Sequence, residues 1–124
     1  HDSTVTLWGT GAPMREFLYS EDLAKACLLL LSLSDEKLSS LFVDGTPPLV
    51  NVGSGKEISI SQLANVVSEI VGFTGDIEWD ASKPDGTPRK LLDSSKIRRL
   101  GWKPEISLEQ GIELTYDDYL SNYG

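Results

Sequence analysis

Arg15, Trp8 and the loop from Asp80 to Lys90 hold the groups in this chain best suited to a phosphorylated ligand. Arg15 stands between the Gly9-Thr10-Gly11-Ala12-Pro13 turn and Glu16-Phe17-Leu18-Tyr19. A guanidinium there can take two phosphate oxygens at once. It can equally ion-pair with Glu16 or Asp22, and position alone leaves both open. Trp8 ends an apolar segment, where an indole is either core or a flat wall for a sugar or base. The loop Asp80-Ala81-Ser82-Lys83-Pro84-Asp85-Gly86-Thr87-Pro88-Arg89-Lys90 sets three cations among rigid turns. It reads either as a flap over a phosphate or as an exposed connector.

Other candidates fall away on spacing. Gly53-Ser54-Gly55-Lys56 lacks the earlier Gly and the following Ser or Thr of a phosphate-binding P-loop, since Val50 and Glu57 hold those positions. Gly9-Thr10-Gly11 lacks the third Gly of a dinucleotide fingerprint, and Pro13 and Met14 stand where its helix would begin. No Tyr is followed by Lys four residues later, so a Tyr/Lys proton-transfer pair is not encoded. Cys27 falls on the apolar stripe of a Leu-rich helix and reads as a buried structural thiol. His1 offers no partner for a hydrolase arrangement. One Cys and one His cannot build a structural zinc site, and a lone Cys forms no internal disulfide.

These residues must be positioned by a short chain. Its 124 residues suit one domain with a modest core. The net charge is −8, yet Lys83 to Lys103 holds seven cations against Asp85 and Asp93 and is +5, leaving −13 elsewhere. Net acidity argues against nucleic-acid and anionic-membrane partners. A single basic segment in an acidic domain can still focus a small polyanion. The longest apolar run, Ala26 to Leu31, is too short to span a bilayer. The first residues lack a basic n-region, so a cytoplasmic setting is expected.

Thr4 to Trp8 reads as a strand. Ser20 is expected to cap a helix from about Glu21 to Leu33 that is buried on most sides. Leu49 to Val52 reads as a buried strand. Ser59 with Gln62 forms a capping box for a helix ending at Gly72. Asp76 to Asp80 is a strand, Leu91-Leu92 a brief extended piece, and Asp93 or Ser94 caps a short helix to Leu100. Ser107 introduces a last helix with stripe Leu108, Ile112, Tyr116, Tyr119, Leu120 and Tyr123. The class is α/β, a small subdomain of a few short strands and about four helices. Trp102, Tyr116 and Tyr119 are candidates for exposure to a neighbouring domain.

The runs Leu7-Trp8-Gly9-Thr10-Gly11-Ala12-Pro13-Met14-Arg15-Glu16-Phe17-Leu18-Tyr19, Asn51-Val52-Gly53-Ser54-Gly55 and Lys83-Pro84-Asp85-Gly86-Thr87-Pro88-Arg89-Lys90 together resemble the C-terminal part of the GDP-L-fucose synthases. These belong to the extended short-chain dehydrogenase/reductases. The resemblance covers nearly the whole chain and implies that residues 1–124 are a substrate-binding domain normally packed on an N-terminal Rossmann domain lying outside it. That domain would bind NADP(H) and carry the catalytic residues, so none is assigned here, and neither Cys27 nor His1 inherits a role. The activity implied is conversion of GDP-4-keto-6-deoxy-D-mannose to GDP-L-fucose by C3/C5 epimerisation and C4 reduction, in an enzyme that is a homodimer. Trp8 and Arg15 match the family's GDP-sugar contacts, Lys90 a basic residue reaching the diphosphate, and Asp85 a residue shaping the nucleotide end. The alternatives are a different nucleotide-sugar epimerase or dehydratase, or a non-catalytic interaction module.

Overall fold

The computed structural model describes residues 3–42, 45 and 47–124; His1 lies outside them, as does part of the Ser34–Gly45 stretch. In chain order the elements are β1 (Thr4–Trp8), β2 (Met14–Glu16), α1 (Ser20–Leu31), α2 (Asp35–Ser39), β3 (Glu57–Ser59), α3 (Ile60–Val71), β4 (Asp76–Asp80), β5 (Arg89–Lys90), α4 (Ser95–Arg99) and α5 (Leu108–Tyr123). The α/β class holds, with five helices among the described residues rather than about four. The additional one, α2, is a single turn capped by the Ser34 side chain.

Two small sheets organise the chain. β1 pairs with β4 in parallel, Thr4 opposite Asp76 through Trp8 opposite Asp80. In the second sheet β2 is central, antiparallel to β3 and parallel to β5. The strand expected at Leu49–Val52 does not form among the described residues. Val50 and Val52 are apolar enough to pack on the core, but a strand also needs a backbone partner. Leu49 instead donates its N–H to Pro47 O, two residues back.

α3 and α5 begin with capping boxes, Ser59 with Gln62 and Ser107 with Gln110, and α3 stops at Gly72 in the left-handed region at φ 70°. The two helices pack on each other. α1 departs from expectation at both ends, stopping at Leu31 and not Leu33. Tyr19, extended at φ −66° and ψ 139°, holds the N-cap position without a side-chain bond, so Ser20 is the first helical residue and not the cap. α4 has Ser94 at its N-cap without a side-chain bond, and Asp93 accepts the Ser95 N–H instead.

The core is small. Ala26, Ile97 and Trp102 are buried, with Leu18, Leu29, Leu30, Val50 and Val52 against them. Trp102 is therefore interior, contrary to the exposure considered for it, whereas Tyr119 is 55% exposed. α1 is not buried on most sides. Asp22 and Ala26, one turn apart, are its only fully buried residues, Leu29 and Leu30 are partly buried against the core, and Leu28 is 66% and Leu31 83% exposed. Cys27 shares that outward side and is exposed, which overturns its reading as a buried thiol. Asp22 fixes α1 to the 102–106 segment. Its Oδ2 accepts the Glu105 and Ile106 N–H groups at 3.1 and 3.0 Å, and its carbonyl accepts the Trp102 indole N–H at 3.1 Å.

Candidate functional site

Arg15 sits in the middle of β2 with Ile58 on one side and Lys90 on the other, its Cα partners in β3 and β5. Side chains directly opposite in a sheet share a face, and successive ones alternate. Arg15, Ile58 and Lys90 therefore occupy one face of the sheet. Met14, Glu16, Glu57, Ser59 and Arg89 occupy the other. Two cations from segments 75 residues apart are thus brought side by side.

Neither anticipated ion pair of Arg15 forms. Among the described residues no carboxylate pairs with it, because both candidates are committed to backbone. Asp22 holds Glu105 and Ile106. Glu16 accepts the Leu92 N–H at 2.7 Å on one oxygen and the Gly55 N–H at 3.0 Å on the other. One Arg15 nitrogen donates to Met14 O at 2.6 Å, which directs the guanidinium along its own strand and leaves other N–H groups for a ligand.

Trp8 ends β1 and is 75% exposed, so it is not core. Lys83 Nζ lies 5.6 Å from its ring centroid, within cation–π range. Asp85 Oδ1 accepts the Thr10 N–H at 2.8 Å and Oδ2 the Thr10 hydroxyl at 2.6 Å. Those bonds, the hydroxyl's first, hold the Asp85 carboxyl below its ordinary value of 3.8. Its charge is stabilised by neutral donors, so it neutralises no cation here. Met14 N–H donates to Pro88 O at 2.8 Å. The 80–90 segment is accordingly pinned in place and is not a free connector. A cleft of about 120 Å³ lies between Trp8, Pro13, Arg15, Pro84, Asp85 and Gly86. That is below the roughly 300–1,000 Å³ of a complete small-molecule pocket and suits one part of a larger ligand.

The third loop cation behaves differently. Arg89 Nε and Nη2 grip both Glu57 oxygens at 2.6 to 2.9 Å. This fork lowers the Glu57 carboxyl from its ordinary 4.5 and raises Arg89. Sequence reasoning missed Thr10, Glu16 and Glu57 as organisers. For Glu16 a signal existed: the Gly53-x-Gly55 turn offers N–H groups with little side-chain cover, and a carboxylate is a fitting acceptor. A larger groove of about 790 Å³ between α3 and the start of α5 contains Lys56, Arg98 and Lys103. Arg98 there already donates to Ser54 O, and the neighbouring Glu105 is bound by Lys25.

A family model described as the NAD dependent epimerase/dehydratase family matches residues 1–53. GDP-L-fucose synthase 1 of Arabidopsis thaliana is 52% identical over 118 residues, 95% of this chain and 33% of that protein. The chain is homologous to the GDP-L-fucose synthases. Two solved structures share the fold of this chain. A GDP-6-OMe-4-keto-L-xylo-heptose reductase from Campylobacter jejuni has a TM-score of 0.88 at 38% identity, over 96% of this chain and 34% of that one. A GDP-mannoheptose C4 reductase from the same organism, with NADP bound, has a TM-score of 0.80 at 37% identity, over 95% and 35%. The chain spans about a third of the length of the curated relatives it matches.

Proposed function

We propose that residues 1–124 form the C-terminal, GDP-sugar-binding domain of an NADP-dependent enzyme that converts GDP-4-keto-6-deoxy-D-mannose to GDP-L-fucose by C3/C5 epimerisation and C4 reduction. Arg15 and Lys90 grip the diphosphate, Trp8 forms a wall beside the sugar or base, and Asp85 shapes the nucleotide end by holding the loop on Thr10. NADP(H) and the proton-transfer residues belong to an N-terminal Rossmann domain, and the enzyme acts as a cytoplasmic homodimer. The observation that carries this reading is the pairing of Arg15 with Lys90 across β2 and β5, with no carboxylate bound to either among the described residues. Two charge-assisted contacts to one dianionic group supply affinity and orientation together.

In the full-length enzyme, Arg15→Ala and Lys90→Ala should each raise KM for the GDP-sugar roughly tenfold or more, with NADPH affinity little changed. Unchanged KM in both variants would sink the assignment. The 124-residue chain by itself should show no turnover.

A second reading, a different GDP-sugar reductase, is favoured by the likeness to the two heptose reductases. Both readings share the diphosphate grip. Relative kcat/KM for 6-deoxyhexose and heptose GDP-sugars separates them, and weak competition by UDP- and dTDP-sugars is expected in either case.

A further inference from the structure

β5 is two residues long, Arg89 and Lys90, and Pro88 before it has no N–H to add to the ladder. So short a strand has little ladder of its own, and its register leans on bonds that flank it, Met14 N–H to Pro88 O and Leu92 N–H to the Glu16 carboxylate, and on whatever the two side chains themselves find. A one-residue slip turns every side chain to the other face, and here it would exchange one cation for another. Lys90 would turn toward Glu57, and Arg89 would come to lie beside Arg15. The sequence places two competing cations next to one acceptor, and something must choose between them.

The Glu57 carboxylate is placed to bias that choice. It is only 13% exposed and takes three N–H···O contacts from Arg89 across β2. The planar fork of a guanidinium matches both carboxylate oxygens, whereas an ammonium is a point charge that cannot. We propose that the Glu57–Arg89 pair is a positioning device: by bridging β3 and β5 on one face of the sheet, it selects the register that presents Lys90 beside Arg15 on the other. This rests on the reading above, in which Lys90 contacts the ligand diphosphate. Glu57 and Arg89 touch no ligand; they act through Lys90.

The test uses the full-length enzyme and GDP-4-keto-6-deoxy-D-mannose, with NADPH binding as a check on the fold. Glu57→Gln and Arg89→Lys should each raise KM about three- to tenfold, a cost in line with misplacing one binding group. Because the lost interaction is ground-state binding, kcat should stay within a factor of about two. Arg89→Lys is the telling variant, since it keeps the charge and removes only the fork. Lys90→Ala added to Glu57→Gln should cost no more than Lys90→Ala alone, because a misdirected lysine has nothing left to lose. If the two effects multiply, or Arg89→Lys leaves KM unchanged while Lys90→Ala raises it, the positioning role is overturned and the diphosphate reading stands. Loss of NADPH affinity in both pair variants would make the pair a support of the whole fold, which also overturns it. If Lys90→Ala itself leaves KM unchanged, the diphosphate reading of Lys90 fails and this proposal falls with it.

Discussion

Glu16 does with one carboxylate what two side chains usually share. Its oxygens hold Gly55 and Leu92, residues on either side of the second sheet. A Cβ at Gly53 would come within 2.6 Å of that carboxylate, so Gly53 and Glu16 are one unit. Glu16→Gln keeps the shape but offers one acceptor, and aims an NH₂ at a backbone donor. The expected loss is about 0.5–1.5 kcal/mol, the net worth of one hydrogen bond between exposed groups, read by urea unfolding of the full-length protein. Gly53→Ala should cost a similar amount, and the double variant less than the sum. Asp85 makes a different prediction. Its carboxyl and those of Glu57 and Asp93 are held below their ordinary values by the Thr10, Arg89 and Ser95 donors respectively. The ionised forms are therefore favoured by folding. Their contribution is fully present above the ordinary values of 3.8 and 4.5 and is lost as pH falls through the lowered ones. Amide exchange in the 80–90 loop, corrected for its intrinsic pH dependence, should show constant protection from pH 7 to about 5 and a drop below about 4. Thr10→Val, which removes the hydroxyl donor, should weaken that dependence.

At the scale of elements, the sequence speaks clearly where the signal is local. The capping box at Ser59, the helix start at Ser107, the stop at Gly72 and the strands β1 and β4 are each signalled within a few residues, and each forms as expected, although the alternation holds in β4 and not in β1, where Val5 is exposed. What was not legible depends on distant partners. β2 and β5 are too short to announce themselves by periodicity and exist because each completes the other. The apolar run at Leu49–Val52 has the composition of a strand and no ladder among the described residues. Position alone left Trp8 open between core and ligand wall, and its 75% exposure with Lys83 over the ring rules out the core. Arg15 and Lys90 could be named from their types and setting, while the alternation that places them on one face could not be read before β5 was located. The turn between β1 and β2 offers a check on this architecture. Gly11 is buried at φ +73°, and a Cβ there would meet the Trp79 ring at 2.7 Å and Ser61 at 2.9 Å. Gly11→Ala should destabilise the fold by about 1–3 kcal/mol from backbone strain alone, and should open the cleft beside Trp8.

The whole molecule presents more apolar surface than so small a core explains. Leu23, Leu28 and Leu31 of α1, and Leu114, Leu120 and Tyr123 of α5, are all exposed, the last next to Tyr119 in a stacked pair. In the proposed two-domain enzyme the outward side of α1 is where further chain would pack. Leu28→Gln with Leu31→Gln should then lower the thermal midpoint of the full-length protein by several degrees. A purely solvent-facing helix would tolerate both changes. No helix among the described residues is long and apolar enough to cross a membrane.

The contacts that build the ligand face span most of the chain: Thr10 to Asp85 is 75 residues and Glu16 to Leu92 is 76. A ribosome adding about 5–20 residues per second takes about 4–15 s to follow Glu16 with Leu92. Through that interval the strand that carries Arg15 gains β3 on one edge while the other stays bare, and the proposed diphosphate grip lacks Lys90. Nascent chains arrested before Pro88 should therefore bind GDP at least about tenfold more weakly than chains released through Leu92. On the proposed reading, the ligand site is among the last parts of the domain to be completed as the chain is made.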